Sequence, residues 1–109
     1  MRVESYSIIN KMSGTDMSQI ITSNPFTFEH LYSLGIDAQY TGTPSGTLAV
    51  EYSIDGSLWN VRISQAVAGA GSWYFDLTAV SAKFVRLKWT PGGVTSGTIT
   101  IANLIAKGV

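Results

Sequence analysis

The chain of 109 residues contains no cysteine, a single histidine and only 13% charged residues. Without cysteine, disulfide cross-links and thiolate metal sites are excluded. A single histidine, His30, excludes a histidine-rich metal centre, and any serine–histidine–aspartate triad would have to use it. No serine lies in the G-x-S-x-G context of a nucleophile elbow. We therefore predict that the protein is not an enzyme and holds no cofactor.

An excess of positive charge is also missing, since seven Lys and Arg balance seven Asp and Glu. Nucleic-acid binding depends on basic surface that neutralises phosphates, so we expect no nucleic-acid partner. Lys83, Arg86 and Lys88 lie close in sequence. The last two alternate with apolar residues, however, which favours the solvated face of a strand over a phosphate site.

Long apolar runs are absent as well. None approaches the ~18 residues that a membrane span needs, and the N-terminal residues show no signal-peptide pattern. We expect synthesis in the cytoplasm and no membrane partner.

The acidic residues give no reason to select a catalytic pair. Asp55 is predicted to form a turn. Asp76 either caps the turn after its strand or contributes to a calcium site. Because the EF-hand spacing is absent, we predict no metal site.

Alternation of apolar and polar residues is the dominant pattern that is present. In residues 46–63 one face of a predicted strand carries the apolar side chains, and Asp55-Gly56 supplies a tight hairpin turn with positive φ. The members of this predicted hairpin are Leu48, Val50, Tyr52 and Ile54 on the first strand, and Trp59, Val61 and Ile63 on the second. The pattern indicates an antiparallel β protein.

Similar short segments recur along the chain. Predicted strands cover residues 3–9, 19–22, 33–41, 73–77, 83–90 and 98–106, and residues 66–72 are predicted to be a loop of small residues. No segment has a sustained helical period, and Gly and Thr punctuate at spacings of roughly ten residues. The prediction is an all-β fold, an antiparallel β-sandwich of jelly-roll type with about seven or eight strands.

The domain organisation predicted from this pattern has two parts. Residues 1–24 form an N-terminal arm with the first strands, including a polar loop or mobile arm at residues 11–18, and residues 25–109 form the sandwich body. Residues 40–50 and 89–101 share an aromatic-Thr start, a proline and a Ser-Gly-Thr before a strand. This echo indicates either a duplicated unit or two strands leaving similar turns at one end of a sandwich, and we favour the second interpretation.

The three tryptophans are predicted to have different surroundings. Trp73 and Trp89 match the inward positions of their strands and are expected in the core. Trp59 is expected nearest the surface, where it either packs across its own hairpin or stacks on a sugar ring. The first interpretation is favoured.

The order of segments also resembles a known group of proteins. The residues that carry the resemblance are Tyr52, Ser53, Asp55, Gly56 and Trp59, then Asp76 and Leu77, then Ala82, Lys83, Val85, Arg86 and Leu87, and finally Lys107 and Gly108. In this order they resemble small jelly-roll proteins of tailed bacteriophages that act as cement (decoration) proteins on the head. The first 30 or so residues have no counterpart. The central motif is also similar to that of discoidin-like and carbohydrate-binding jelly rolls.

The resemblance implies a structural virion protein on the outer surface of the capsid. Such a protein would bridge neighbouring major capsid protein subunits and self-associate as a dimer or trimer. The alternative is a carbohydrate-binding or adhesin module of a tail fibre or baseplate, in which Trp59 would stack on a sugar.

Partner contacts are expected where loops and extended arms can order on binding. The expected contact residues are Met1, Arg2, Met12 and Met17 in the arm, and Ala68, Gly69, Gly71, Gly92 and Gly93 at the ends of the sandwich.

Overall fold

The computed structural model describes the backbone of residues 4–8 and all of residues 13–27, 32–78, 80–93 and 95–108, which form ten strands. In chain order the strands are β1 (Glu4–Ile8), β2 (Thr15–Asp16), β3 (Ile21–Thr22), β4 (Phe26–Thr27), β5 (Ser33–Thr43), β6 (Ser45–Ser53), β7 (Asn60–Ala68), β8 (Gly71–Leu77), β9 (Phe84–Pro91) and β10 (Ser96–Lys107). Three of them, β2, β3 and β4, have only two residues each. The other seven strands are longer, and their number agrees with the predicted seven or eight.

The strands form two antiparallel sheets in jelly-roll order. Sheet A has the order β1-β10-β5-β8, with β2 also on β10, and sheet B has the order β3-β9-β6-β7, with β4 also on β9. The pairs are therefore nested: β6 with β7, β5 with β8, β3 with β9 and β1 with β10. A long hairpin rolled around one core gives this order, and the fold prediction is confirmed. No helix in the described part of the chain is long and apolar enough to cross a membrane.

The core lies between the inner faces of the two sheets, because successive side chains of a strand point to opposite faces. Its fully buried large side chains include Ile36, Leu48, Val50, Val85, Leu87, Trp89 and Ile99. Trp73 and Trp89 are both buried, as predicted. The indole nitrogen of Trp89 donates a hydrogen bond to the carbonyl oxygen of Met17 at 2.7 Å.

The described part of the predicted N-terminal arm belongs to the sandwich. β2 pairs with β10, and the backbone N–H of Gly14 donates to the carbonyl of Ile99 at 2.6 Å. Met17 is 0% exposed, so its prediction as a partner contact is wrong, because its side chain fills the core. Met1, Arg2 and Met12 lie outside the described residues.

Three connections cross between the sheets at one end, which we call the glycine-rich end. They are Pro44, residues 69–70 and residues 92–95. Backbone hydrogen bonds hold them together, since Gly69 N–H donates to the Pro44 carbonyl and Gly92 N–H to the Ser45 carbonyl, both at 2.8 Å. The predicted loop at residues 66–72 is thus shorter than expected, because β7 continues to Ala68 and β8 begins at Gly71.

The two Ser-Gly-Thr sequences noted above are the first residues of β6 and β10, and each follows directly after one of these crossings. This is the arrangement expected for two strands that leave similar turns at one end. At Gly97, which has a φ of 149°, a Cβ would collide with the carbonyl oxygen of Thr41 on β5. The backbones approach too closely there for any other residue, so this crossing requires glycine.

Candidate functional site

The opposite end of the sandwich, the hairpin end, is formed by the connection between β6 and β7. The predicted two-residue turn is instead the loop of residues 54–59. Its centre is the carboxylate of Asp55, which accepts hydrogen bonds from the N–H groups of Ser57 at 2.8 Å and Leu58 at 2.9 Å. These bonds, with a smaller contribution from the Ser53 hydroxyl, hold the pKa of Asp55 below its ordinary value. Gly56 has a φ of 84°, so a positive φ was correctly predicted there.

This ordered loop displays large apolar side chains to solvent. Ile54 is 78% exposed and Leu58 is 68% exposed, and Val61 follows on β7 with 58%. We call these three residues the apolar tip. A cavity of about 260 Å³ lies among Ile54, Asp55, Leu58 and Asn60. Large apolar side chains exposed on an ordered loop and on the strand that follows it are typical of a protein–protein contact.

A second cavity at the hairpin end lies beside an unpaired hydroxyl. It has a volume of about 160 Å³ and is lined by Tyr52, Ser53, Ile54, Asn60, Ser81 and Ala82. The hydroxyl of Tyr52 is buried and has no hydrogen-bond partner among the described residues. Burial raises the pKa of Tyr52, against an opposing effect of the Arg62 charge. Since buried polar groups are normally paired, this hydroxyl is an exception among the described residues.

Trp59 packs against its own sheet. The guanidinium carbon of Arg86 lies 4.0 Å from the centroid of the Trp59 ring, and the Arg86 Nε is 2.7 Å from the Oε1 of buried Glu51. The Trp59 indole nitrogen donates to the Gly56 carbonyl at 3.2 Å. One face of the ring is therefore covered by the guanidinium of Arg86, which lies on β9 and not on the hairpin of Trp59. Arg86 is an ion-pair partner within the outer face of sheet B, in line with the prediction of a strand face over a phosphate site.

The outer face of sheet A carries a groove that sequence reasoning missed. The strand register places Tyr74 of β8 beside Asp37 of β5, which in turn lies beside Asn103 of β10. The neighbouring row is Asp76, Gly35 and Ile105. Gly35 is buried because the side chains of Tyr74 and Ile105 lie over it. We call the surface around Tyr74, Gly35 and Ile105 the outer groove. Its two cavities, about 160 and 220 Å³, share Gly35, Tyr74 and Ile105 as lining residues.

Only a weak signal in the sequence could have indicated this groove. Tyr74 and Asp76 are out of phase with the apolar residues of β8, which indicates an outward direction but not a site. The glycine that forms the floor lies 39 residues earlier in the chain, at position 35. Only the register of three strands brings these residues together.

The residues predicted at the sandwich ends are close in space. Ala68, Gly71, Gly92 and Gly93 are exposed at the glycine-rich end, and Gly69 is half-buried there. They leave backbone surface accessible, and their role as contacts stays a prediction.

The residues considered above for metal binding or catalysis either do not form a metal site or lie outside the described residues. Among the residues that the structure describes, no three acidic or histidine side chains are placed to hold a metal ion. Asp76, considered above as a calcium ligand, is one of the residues that line the outer groove. His30 lies outside the described residues.

Comparison with known proteins shows the fold. No protein-family model and no curated protein sequence matches the chain. Among solved structures, the SPBc2 prophage-derived protein YomS is similar with a TM-score of 0.61 and 10% identity, over 99% of this chain and 96% of that one. The PBSX exported protein XepA has a TM-score of 0.69 and 12% identity over 96% of this chain, which spans only 37% of XepA.

A third similar structure comes from a different class of protein. The CBM36-1 domain of a multidomain xylanase from the hindgut metagenome of Trinervitermes trinervoides has a TM-score of 0.55 and 7% identity, over 98% of both chains. At these identities the likeness is one of fold. The chain is therefore a jelly-roll β-sandwich, an architecture that it shares with a prophage-derived protein, an exported protein and a module from a xylanase.

Proposed function

We propose that this protein is a bacteriophage head decoration (cement) protein that binds across neighbouring major capsid protein subunits on the outside of the capsid. The observation that carries the proposal is the apolar tip. Ile54 and Leu58 are 78% and 68% exposed, and the Asp55 hydrogen bonds order the loop that displays them. Ordered apolar anchors suit a protein partner because little conformational entropy is lost when they are buried.

The shape of the molecule supports a bridging role. A cement protein needs at least two contact surfaces that are far enough apart to touch different subunits. The apolar tip and the glycine-rich end lie at opposite ends of β6 and β7, and the molecule is 45 Å long and 25 Å by 19 Å across. Many identical bridges then add their weak contacts over a symmetric shell. The fold shared with the prophage-derived protein YomS is consistent with a phage origin.

Self-association belongs to the same proposal, and the edge of β7 is the surface we assign to it. β7 pairs with β6 alone among the described strands, which leaves its other edge without a partner strand. Arg62 is the extra residue at a register shift, and residues 63–68 contain no charge and no proline. Natural proteins usually protect such an edge with charge, proline or a covering element. Pairing of two copies about a twofold axis at Gln65 would place Ile63 of one copy opposite Val67 of the other.

The test of the head-binding role is the copy number. Quantitative mass spectrometry of the particle fraction with which the chain sediments should give a ratio near a simple fraction of the major capsid protein. A few copies per particle, or sedimentation as a free small protein, would contradict head decoration.

Variants of the tip test the assigned surface. Ile54→Ser with Leu58→Ser should weaken binding to heads that lack this protein at least tenfold and leave the melting temperature within a few degrees, because both side chains are exposed. The matched control is Tyr74→Ser, which removes a side chain of the same 68% exposure as Leu58 from a different surface. Equal loss of binding in both variants would contradict the role of the tip.

A carbohydrate-binding or adhesin module of a tail fibre or baseplate is the second candidate. The fold shared with the CBM36-1 domain of a xylanase supports it. The predicted stacking residue does not favour it, because Arg86 covers one face of Trp59. A low copy number per particle together with glycan binding would establish this candidate over the first.

A further inference from the structure

The outer groove of sheet A lies on a different surface from the tip and combines an exposed aromatic ring with polar groups. Tyr74 is 68% exposed, yet its side chain does not stand away from the sheet. Its hydroxyl oxygen lies 3.8 Å from the position that a Cβ on Gly35 would take. The side chain therefore leans from the edge strand β8 across β5, and the ring lies along the surface of the sheet.

A pair of fixed polar groups lies beside the ring. The amide nitrogen of Asn103 donates a hydrogen bond to Oδ1 of Asp37 at 2.9 Å, which orients both side chains. Both groups line the same cavity as Tyr74. A carboxylate accepts several hydrogen bonds and a side-chain amide both donates and accepts, so this pair can serve further polar groups. Donors and acceptors next to an aromatic face are what a sugar requires, with its apolar ring face and its rim of hydroxyls.

The charge of the groove narrows the choice of ligand. Asp37, Asp76 and Lys107 line its two cavities, which gives two negative charges and one positive charge. A ligand rich in carboxylates, sulfates or phosphates would be repelled by this balance. The cavity shared by Tyr74, Asp37 and Asn103 exposes mostly apolar surface, which suits the apolar face of a sugar ring, while the pair can serve its hydroxyls. An uncharged ligand that has both an apolar face and hydroxyls fits this combination.

We propose that the outer groove binds an uncharged saccharide chain, with one sugar ring stacked on Tyr74 and its hydroxyls hydrogen-bonded to the Asp37–Asn103 pair. Gly35 gives the side chains of Tyr74 and Ile105 room to lie on the sheet, since a Cβ there would be 3.1 Å from Cγ2 of Ile105 and 3.8 Å from the Tyr74 hydroxyl oxygen. The site goes beyond the proposed decoration role and does not depend on it, because the two use different surfaces.

The experiment is calorimetric titration of the full chain with four hexasaccharides. Three are uncharged, namely cellohexaose, xylohexaose and N-acetylchitohexaose, and one is anionic, hexagalacturonate. We expect at least one uncharged chain to bind with a Kd below about 1 mM. Tyr74→Ala should weaken that binding at least tenfold, and Tyr74→Phe, which keeps the ring, less than threefold. Trp59→Ala is the matched control and should leave the Kd unchanged.

Several outcomes would overturn the proposal. They are the absence of binding by all three uncharged chains, tighter binding of hexagalacturonate than of any of them, or loss of binding in Trp59→Ala but not in Tyr74→Ala. The melting temperature of each variant shows whether it is folded. Should Tyr74→Ala be unstable, Asp37→Ala is the second variant, since it removes an exposed member of the hydrogen-bonding pair and should also weaken binding at least tenfold. Head binding is measured separately, so a failure here leaves the decoration proposal standing.

Discussion

A single carboxylate accounts for the order of the loop at the hairpin end. Asp55 accepts two backbone hydrogen bonds from within its own loop and one from the hydroxyl of Ser53, the last residue of β6. Sequence reasoning placed a turn here, because Asp-Gly is a strong local signal. It did not give the loop length, since the side-chain hydrogen bonds of Asp compete with the backbone bonds of a tight turn.

The first prediction concerns the pH dependence of this carboxylate. The hydrogen bonds lower the pKa of Asp55 in the folded protein below its ordinary value of 3.8. Their stabilisation is therefore complete above the pKa of the unfolded chain and is lost as the pH falls through the folded value. Asp55→Asn keeps an acceptor without the charge. The melting temperature of the wild type should exceed that of this variant at pH 7, and the difference should shrink below pH ~4. A constant difference from pH 7 to pH 2.5 would contradict the assignment.

The second residue-scale prediction concerns the ion pair on sheet B. Arg86→Ala removes the partner of buried Glu51 and the cation over Trp59. The free energy of unfolding should fall by about 2 to 3 kcal/mol, somewhat less than for a fully buried pair, because Arg86 is partly exposed. Chemical denaturation measures the change. Lys88→Ala, two residues along the same face of β9, is the control and should change it by about 0.5 kcal/mol or less. Similar losses in both variants would refute a specific role of the pair.

At the scale of the elements, the hairpin depends on one backbone conformation. Gly56 has a φ of 84°, a region that β-branched residues strongly disfavour. Gly56→Val should reduce the free energy of unfolding by about 1 to 3 kcal/mol. Ser57→Val, at the next position of the same loop, serves as the control and should have an effect of about 0.5 kcal/mol or less. Unchanged thermal stability of Gly56→Val would contradict the proposed loop conformation.

The longer strands could be predicted because alternation is a local property. The inward directions of Trp73 and Trp89 followed from the same pattern and are confirmed. What could not be predicted depends on partners distant in sequence. Met17 lies in a polar stretch, and only the packing of β2 on β10 and the hydrogen bond from Trp89 show that it is buried. The outer groove likewise needs the register of β5, β8 and β10, which no local pattern contains.

At the scale of the whole molecule, the unpaired edge of β7 makes the oligomeric state testable. Ala66→Lys places a charge on this edge and should convert the proposed dimer to a monomer in analytical ultracentrifugation. The melting temperature should change little apart from the loss of the dimer contact, because Ala66 is exposed. Thr47→Lys is the control, since Thr47 is the register neighbour of Ala66 on the central strand β6. A monomeric wild type, or dimers in both variants, would rule out this interface.

The position of β10 has a consequence for the time at which the protein can fold. β10 is the last strand in the chain, and it pairs with β1, β2 and β5 in the middle of sheet A. While the ribosome is still adding residues 96–107, those three strands have been made but lack the strand that joins them. Until β10 has been synthesised, the apolar side chains of these strands remain exposed to water or bound to a chaperone. Sheet B has a comparable member in β9, which pairs with β3, β4 and β6, but β9 ends at residue 91, before β10 begins. The two halves of the sandwich therefore become available at different moments of synthesis, and sheet A is the later of the two.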